Sequence, residues 1–535
     1  MAFPQFHLLN KLLTSNVLSI KTLFKLRLIS NKFCNLCNAN LCRKSFISFP
    51  DQCLSIDALD ILTPYLVEDC LIVISLLSPH RYPLVNSESL IDSLASLPSN
   101  ILIKFLPAKS HAQLSRKVRR LIIHRLSHKV ITLDVTIHDL SSHKHTVFPY
   151  VTSLWISLFS QSDISQWPGV SSRFPCLKEL IITCCCNCSE NVSTLMNVLS
   201  TDLVLSTLTS LQFKSNGCPD EFEPHCLHIL PHVLSKAPRV CHFSSSISHS
   251  VSEFILAATS FLSRLRSLAV VNITPSLLSR LNPQELFKLS GSIKNDKTFD
   301  LLLRLSNLSV LNLTIEVIPS SFTFFSFLVH LKSLSLRFSF PLSNDYLSNL
   351  FQQHLPKHLD SLDFTGTLTN DVFSLIAQNL SLTHLSLSNE SDHEDTFSGD
   401  DFIYLISNSV YLRSLSLSNF HIILGSSFVS QTLKLSSLVL SHCIIACTLI
   451  RNVVMCSPRL RELDLPSTPF LVSFKFVELL ESNKHIDSVF FDSYQDEELG
   501  ASKIMFELFE KRRFMTKIPF KSVRNRDGGI PLILI

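Results

Sequence analysis

The sequence predicts an α/β solenoid in which parallel strands lie on the concave face, helices lie on the convex face and a helical cap precedes the repeats. Three observations predict this class. A short leucine phrase recurs along the chain, the spacing of apolar residues becomes helical between its copies, and glycine is scarce, with 9 in 535 residues. Scarce glycine argues against glycine-rich phosphate loops and against β-sandwiches with many tight turns.

The recurring phrase reads L-x-x-L-x-L, and its copies from residue 308 onward follow one another at steps of 23 to 30 residues. The last two leucines are two positions apart, so in a strand they point to the same side and the intervening residues point outward. Copies begin at Leu177, Leu208, Leu265, Leu308, Leu331, Leu359, Leu382, Leu412, Leu435 and Leu460, with weaker ones at Val130, Val151, Val240 and Ile486. The longer step from Leu265 to Leu308 predicts a degenerate repeat or an insertion.

Between the phrases, apolar residues recur three and four positions apart, the spacing of one helix face. Leu347 and Leu350, for example, follow Asn344 and Asp345. Asn and Asp favour the N-termini of helices, because their side-chain oxygens accept hydrogen bonds from the free backbone N–H groups. One strand with one helix cannot bury its apolar side alone, so we expect the repeats to stack.

These phrases resemble the leucine-rich repeats of the ribonuclease-inhibitor-like class, whose F-box and cullin-adaptor members often show LxxLxLxxC or LxxLxLSxN. The segments "LSLSN" at 385–389 and 415–419 and "LVLSHC" at 438–443 match. The resemblance implies a leucine-rich-repeat solenoid over residues 129–495. It implies little about function, because repeat solenoids bind many different partners.

Residues 49–128 are predicted to form the helical cap and to dock an adaptor protein. One interpretation is an F-box, which would begin at "FPDQCL" (49–54) and end near "EDCLIVISLLS" (68–78). The leading aromatic residue and Pro fit an F-box. The spacing is long for that motif, and no Trp follows in the usual place.

A second interpretation is an Elongin C-binding box followed by a cullin-binding element. Elongin C binds a helix patterned Leu-x3-Cys-x3-aliphatic, in which residues four apart enter a groove as a single ridge. Two segments fit this ridge, and a third fits the downstream cullin element, which pairs an apolar residue with Pro. The residues are Leu54, Ala58 and Leu62; Leu66, Cys70 and Ile74; and, for the cullin element, Leu97, Pro98, Ile101 and Phe105.

The layout of residues 52–515 is similar to that of the ZYG-type substrate receptors of the cullin-two ubiquitin ligase, in which an Elongin-binding box precedes leucine-rich repeats. The resemblance implies a non-catalytic receptor whose partners are Elongin C, a cullin and a substrate protein. The alternative is that these helices only cap the first repeat and bury the same residues internally. The chain would then be a repeat scaffold without a ligase role.

Both ends of the chain are basic. Residues 1–48 contain no Asp or Glu and are predicted to be a disordered leader, with a mitochondrial transit peptide as the alternative. Residues 496–535 are predicted to form a C-terminal helix and a basic tail, which could contact nucleic acid. The net charge of +4 is small for this length, so we expect protein partners rather than nucleic acid.

The sequence lacks the common motifs of catalysis and cofactor binding, many of which need glycine. No GxSxG, GxGxxG, P-loop or HExxH occurs, so we expect no enzyme activity and no cofactor. Cys34, Cys37 and Cys42 are too few to form a structural zinc site. The segment "CCCNC" at 184–188 is predicted to hold free thiols rather than a metal.

The location predicted for the chain is the cytoplasm or the nucleus, because no secretory signal peptide is visible and the 16 cysteines follow no disulfide pattern. The apolar run 54–77 contains four acidic residues, too many for a membrane span. We therefore expect no membrane association.

Three further features bear on the surface. The outward residues of the strands between 333 and 441 are mostly small and polar, such as Ser386 and Ser416. The acidic insert "ESDHEDTFSGDD" (390–401) is predicted to be a solvated loop. The alternatives are that it contacts a basic partner or that Asp400 caps the next helix. The arginines of "RKVRRLIIHR" (116–125) are predicted to lie on the solvated side of a helix.

Overall fold

The structure is a computed structural model of the 535-residue chain, and it divides into two compact units, Met1–Phe261 and Leu262–Ile535. The residues that the structure describes are 46–50, 71–75, 87–97, 101–106, 116–143, 145–158, 170–184, 206–215, 230–246, 251–369, 371–379, 381–390, 396–423, 425, 429, 431–466, 468, 470–472, 474–483, 486, 488–491 and 494–496.

Unit one contains a parallel sheet in which each strand pairs with the next along the chain. The weaker phrases at Val130, Val151 and Val240 lead into strands, as predicted. The strands are β1 Phe46–Pro50, β2 Leu71–Ser75, β3 Leu102–Leu106, β4 Val130–Thr136, β5 Ser153–Leu158, β6 Glu179–Cys184, β7 Ser210–Ser215 and β8 His242–Ser245.

In the described part of unit one, helices follow β2, β3, β4, β5, β7 and β8. They are α1 Ser87–Ser96, α2 Arg116–Leu126, α3 Ile137–Ser141, α4 Val170–Arg173, α5 Leu230–Ser235, α6 Val251–Ile255 and α7 Thr259–Leu262, which ends at the first residue of unit two. The prediction of a purely helical segment over 49–128 is therefore wrong for β2 and β3, which are strands of the sheet. Apolar runs rich in Ile, Leu and Val suit a strand as well as a helix. Much of 49–128 lies outside the described residues, so the cap itself stays a prediction.

A buried ion pair joins α2 to the start of α3. Asp139 is fully buried, and its carboxylate accepts hydrogen bonds from Arg119 Nε at 2.9 Å and from the Thr136 hydroxyl at 2.8 Å. Thr136 in turn accepts from the Asp139 N–H, which completes a capping box at the N-terminus of α3. The prediction that all the arginines of 116–125 are solvated is thus wrong for Arg119, which is buried.

Unit two contains the longer series of strands, in chain order β9 Ser267–Asn272, β10 Lys288–Ile293, β11 Val310–Ile315, β12 Ser333–Phe338, β13 Ser361–Gly366, β14 His384–Asn389, β15 Thr396–Ser398, β16 Ser414–Ser418, β17 His421–Ile423, β18 Ser437–Ser441, β19 Ile444–Ile445, β20 Glu462–Leu465, β21 Phe470–Val472, β22 Ser488–Phe491 and β23 Tyr494–Asp496. The strands that follow the leucine phrases form one parallel sheet, ordered β9-β10-β11-β12-β13-β14-β16-β18-β20-β22. Two small parallel sheets, β15-β17-β19 and β21-β23, accompany it.

Strand β10 explains the long step between Leu265 and Leu308, because it belongs to a degenerate repeat. Its register against β9 shifts between Ser290 and Ser292. Gly291 lies at the shift with φ +155°, and a Cβ there would come within 2.3 Å of the Val270 carbonyl oxygen. The close approach of β9 therefore requires glycine in place of the third leucine of this repeat.

The helices of unit two follow the strands of the main sheet. They are α8 Pro275–Arg280, α9 Lys297–Leu302, a 3₁₀ helix Thr323–Phe327, α10 Asn344–Asn349 with a π-helical turn Leu350–His354, α11 Val372–Asn379, α12 Gly399–Asn408, α13 Cys447–Met455 and α14 Phe474–Ser482. The N-cap of α10 is Ser343, whose hydroxyl accepts from the Tyr346 N–H at 3.4 Å, so Asn344 and Asp345 lie in the first turn. Each unit is thus a leucine-rich-repeat solenoid of strands and helices, as predicted.

Backbone hydrogen bonds join each repeat of unit two to the one before it. The residue after the first leucine of each phrase donates its N–H to the carbonyl of the equivalent residue in the preceding repeat. This ladder includes Lys332 to Ser309 at 2.9 Å, Asp360 to Lys332 at 2.9 Å, Thr383 to Asp360 at 2.9 Å, Arg413 to Thr383 at 2.8 Å, Ser436 to Arg413 at 2.7 Å and Arg461 to Ser436 at 2.8 Å. The ladder therefore sets the register of neighbouring repeats at the start of each strand.

Phenylalanine fills the core between the leucine columns of unit two. Phe338 packs on Phe322 and Phe364, with ring centroids 6.2 and 5.4 Å apart. A second group surrounds Phe373, whose ring centroid lies 5.4 Å from that of Phe420. Such pairs add about 0.5–1.5 kcal/mol each beyond burial of their area.

The acidic insert is a helix start and an ion pair rather than a loop alone. Glu390 accepts from Arg337 Nη2 at 2.7 Å. The N-cap of α12 is Ser398, whose hydroxyl accepts from the Asp400 and Asp401 N–H groups, so the prediction that Asp400 is the cap is wrong. Residues 391–395 lie outside the described residues.

We predict that Asp139→Ala lowers the free energy of unfolding by about 3–5 kcal/mol, because it removes the carboxylate that pairs with the buried Arg119 guanidinium. The measurement is urea denaturation followed by far-UV circular dichroism. Glu253→Ala is the matched control, since Glu253 is an exposed acid in the first turn of α6, and it should change the value by less than about 0.5 kcal/mol. Equal effects of the two substitutions would contradict the buried pair.

We predict that Cys443 resists alkylation by iodoacetamide at pH 8 in the folded chain. Its thiol is fully buried and lies 3.5 Å from the Leu417 carbonyl oxygen, and burial raises its pKa to about 11. The pKa of the Cys443 thiol in the folded chain lies above the unfolded value of about 8.5. The contribution of the neutral thiol to the free energy of unfolding is therefore complete below about pH 8.5 and is lost as the pH rises toward 11. Peptide mass spectrometry should find the exposed Cys176 modified first, and equal labelling would be inconsistent with the packing.

Candidate functional site

The residues predicted to dock Elongin C do not form a single helical ridge in the described part of the chain. Leu54, Ala58, Leu62, Leu66 and Cys70 lie outside the described residues. Ile74 lies in strand β2, paired with Phe105 of β3. The prediction that Ile74 continues a helix from Leu66 and Cys70 is therefore wrong, because successive side chains of a strand alternate between two faces.

The residues predicted to contact a cullin connect α1 to β3. Leu97 and Ile101 are 5% and 1% exposed. Pro98 lies outside the described residues, and Phe105 lies in β3. The structure thus places Leu97 and Ile101 in the core of unit one, where they support the fold.

Lys129 holds this connection in place. Its side chain is buried, and its ammonium donates to the carbonyls of Ala95 at 2.6 Å, Leu94 at 3.4 Å and Leu97. The C-terminal carbonyls of a helix lack partners within the helix, and a cation at that end is favoured by the helix dipole. The end of α1 is therefore fixed against the start of β4.

The outward face of the unit-two sheet is the first surface available to a partner. Its strands alternate buried and half-exposed residues, as in β11, β16 and β18. The half-exposed positions confirm the predicted small, polar floor. They include Ser335, Asp363, Thr365, Ser386, Ser388, Ser416, Ser418, Val439 and Ser441.

Neighbouring side chains on this floor bind one another. The Ser335 hydroxyl donates to Asp363 Oδ2 at 3.0 Å, and the Ser437 hydroxyl donates to Glu462 Oε2 at 3.0 Å. Arg337, near the end of β12, forms an ion pair with Glu390, which follows β14. Such a floor offers many short hydroxyl groups at the spacing of adjacent strands, about 4.8 Å.

The outward face of unit one is different, because it carries a large aromatic residue. Trp155 lies on β5, half-exposed, between Asp134 of β4 and Ile181 of β6. Lys214 of β7 places its ammonium 4.5 Å from the centroid of the Trp155 ring. To reach it, the Lys214 side chain passes over β6, which carries the buried Ile181. This is a cation–π contact in the range where the attraction is significant.

A polar group borders this aromatic contact. Glu179 accepts from the Ser153 hydroxyl at 2.7 Å and from the Gln212 amide at 3.1 Å. Burial raises the pKa of the Asp134 carboxyl, with Arg119 opposing the rise and Asp139 adding to it. We call Trp155, Lys214, Glu179, Gln212 and Asp134 the unit-one patch.

Sequence reasoning missed the unit-one patch, although a signal was present. Trp155 stands at an outward position of the weak phrase "VTSLWI" (151–156), two residues after Ser153. Trp is one of the residues that contribute most to protein interfaces. Lys214 and Glu179 come from other repeats, and only the pairing of β5, β6 and β7 brings them to Trp155.

The described part of the chain contains no candidate metal site and no membrane-spanning helix. No group of three or more His, Cys, Asp or Glu side chains there could hold a metal ion. Of "CCCNC", Cys184 ends β6 and the rest lies outside the described residues. Among the described helices, none has the length and apolar character needed to cross a bilayer.

Comparison with known proteins adds little to the geometry. No protein-family model and no curated protein matches the sequence. An internalin (inlF) from Listeria monocytogenes is similar over 72% of this chain and 91% of its own, at 14% identity and a TM-score of 0.31. A chain from the complex of Rad7 and Elc1 in yeast is similar over 77% of this chain and 88% of its own length, at 14% identity and a TM-score of 0.38. Likenesses this weak do not assign a function.

We predict that Lys214→Met lowers the free energy of unfolding by about 0.5–1 kcal/mol, because Trp155 loses its cation. Lys214→Arg keeps a cation over the ring and should stay within a few tenths of a kcal/mol of the wild type, by the same estimate. Urea denaturation followed by circular dichroism measures both. If the Met and Arg variants were equally stable, the cation–π contact would contribute nothing.

Proposed function

We propose that this chain is a non-catalytic, protein-binding solenoid. The observation that carries the proposal is the rows of side chains that its parallel strands present from successive repeats, above all the half-exposed Trp155 with Lys214 at 4.5 Å. Parallel strands hold such rows rigidly, at a spacing that suits another protein surface. Around Trp155, Glu179 and Gln212 add hydrogen-bonding groups next to an aromatic anchor, a combination typical of interface hot spots.

The more specific proposal is that the chain is the substrate-recognition subunit of a cullin-RING ubiquitin ligase. The support comes from the sequence, where Leu66 and Cys70 fit an Elongin C ridge and Leu54, Ala58 and Leu62 fit a second. In such a receptor the segment before the repeats would bind the adaptor, and the outward faces of the repeats would bind the substrate protein. The burial of Leu97 and Ile101 makes the cullin element the less favoured part of this proposal.

A repeat scaffold without a ligase role is the second candidate. The observation that favours it is that Ile74 and Phe105 pair within the sheet and that Leu97 packs in the core of unit one. Residues used in this way maintain the fold and need no adaptor. The two candidates share the protein-binding faces and differ only in whether an adaptor binds before the repeats.

We predict that the full-length chain, co-expressed with Elongin B and C, recovers both proteins on affinity purification, and that Leu66→Ser combined with Cys70→Ser abolishes this recovery. A polar residue in either position would remove the apolar ridge that enters the groove. Leu97 is left unchanged, since its substitution would disturb the core. Quantitative mass spectrometry of the eluate measures the recovery.

Trp155→Ala is the control for this experiment. Trp155 lies on the unit-one patch, away in sequence from the proposed ridges, so we expect its substitution to leave Elongin recovery unchanged. Leu54→Ser combined with Leu62→Ser tests the other ridge in parallel. If the wild-type chain recovers no Elongin, the ligase proposal is wrong and the scaffold candidate replaces it. If recovery survives both double substitutions, the proposed ridges are wrong.

A further inference from the structure

Exposed cations and apolar side chains gather at the edge of the unit-two sheet where the strands begin. We call Tyr411, Arg413, Lys434, Arg459 and Arg461 the basic edge cluster. All five are exposed. They stand directly before or directly after the first leucine of the phrase in three consecutive repeats, those of β16, β18 and β20.

The backbone ladder places these residues in register. The Ser436 N–H donates to the Arg413 carbonyl at 2.7 Å, and the Arg461 N–H donates to the Ser436 carbonyl at 2.8 Å. Adjacent strands lie about 4.8 Å apart, so the backbones of Arg413 and Arg461 are about 10 Å apart. Tyr411, Lys434 and Arg459 form a second row beside them, two residues earlier in each repeat.

The positive charge of this cluster is not neutralised within the described part of unit two. The ion pairs in this part of the chain include Arg266 with Glu285, Lys294 with Glu316 and Arg337 with Glu390, and none of these three includes a cation of the cluster. Glu462, the acid next in sequence, accepts from the Ser437 hydroxyl on the outward face.

Lys434 instead lies over an aromatic ring, with its ammonium 5.6 Å from the centroid of Tyr411. Apolar side chains accompany the charges. Val410 is 54% exposed, Tyr411 56% and Met455 66%. Arg, Tyr and Met are enriched in protein interfaces, whereas isolated exposed apolar residues are common on any surface. Here three exposed apolar side chains lie within the same three repeats as four cations, of which Lys434 contacts the Tyr411 ring.

At the opposite edge of unit two, where strands end and helices begin, the repeats of β12, β13 and β14 carry several acidic residues. Asp345, Asp371, Asp400 and Asp401 lie there, beside Glu390. The basic edge is therefore a local feature of one side of the unit and does not reflect the small net charge of the chain, +4.

We propose that the basic edge cluster binds an acidic protein segment that also carries apolar side chains. Carboxylates of the segment would pair with Arg413, Lys434, Arg459 and Arg461, and its apolar residues would cover Tyr411 and Met455. A nucleic acid would use the cations but would leave Val410 and Met455 uncovered. This inference rests on the protein-binding proposal and names a surface and a class of partner for it.

The test is fluorescence anisotropy of the full-length chain with three labelled probes: a peptide of Glu-Glu-Leu repeats, a poly-Glu peptide of equal length and a deoxythymidine oligonucleotide of equal charge. We expect the Glu-Glu-Leu peptide to bind most tightly. Arg413→Glu combined with Arg461→Glu should weaken it about tenfold or more, because two exposed charge pairs become repulsive. Both residues are exposed, so circular dichroism should show the fold unchanged.

Lys297→Glu combined with Lys357→Glu is the matched control, because it changes the net charge equally at exposed positions outside the cluster. It should leave peptide affinity within about twofold. The inference is overturned if the wild-type chain binds neither peptide, if the two double variants weaken the peptide equally, or if the oligonucleotide binds most tightly. It is also overturned if light scattering shows that the basic edge only joins copies of the chain. Elongin recovery should be the same in the Arg413 and Arg461 variant as in the wild type, so the ligase proposal is judged separately.

Discussion

The backbone ladder at the strand starts of unit two is the interaction on which the rest of that unit depends. In each phrase the two residues after the first leucine donate their N–H groups to one carbonyl of the preceding phrase, that of the residue after its first leucine. Because this fixes the register, the leucines two and four positions later align into columns and bury one another, as Leu334, Leu362 and Leu385 do. The same register brings outward residues and turn residues into rows. The outward face of unit two and its basic edge cluster are consequences of those rows.

The two units use this geometry differently. The outward face of unit two is mostly small and hydroxylated, with Asp363 and Glu462 bonded to neighbouring serines, and further charges lie at the edges of the sheet. Unit one buries ionic groups between its helices and strands: Asp139 binds Arg119, Lys129 binds the carbonyls that end α1, and Arg173 donates to the carbonyls of Thr146 and His143, both at 2.9 Å. Burial lowers the pKa of Arg173 to about 10, yet it remains charged at neutral pH. Each buried cation therefore needs its partners, which makes unit one sensitive to their removal.

The sequence was sufficient for the features that depend on local periodicity. The phrases at Leu308, Leu331 and Leu359 lead into strands at the predicted places, because leucines two apart require a strand with one buried face. Features that depend on distant residues were not predictable. Arg119 is buried only because the fold places Asp139 next to it. Lys214 contacts Trp155 only because β5 pairs with β6 and β6 pairs with β7. Ile74 was misassigned because a short apolar run fits a strand and a helix equally well. The docking residues from Leu54 to Cys70 remain a prediction.

The central claim is that repeats of unit two stack through the strand-start ladder, and hydrogen–deuterium exchange tests it most directly. Lys332, Asp360 and Arg413 have exposed side chains, so their amides would exchange quickly if nothing but side-chain burial protected them. The account predicts that these amides exchange more slowly by orders of magnitude in the folded chain than in the same chain in urea, because each N–H is bonded to the preceding repeat. Exchange at the unfolded rate, with the neighbouring Leu334 and Leu362 amides protected, would contradict the ladder.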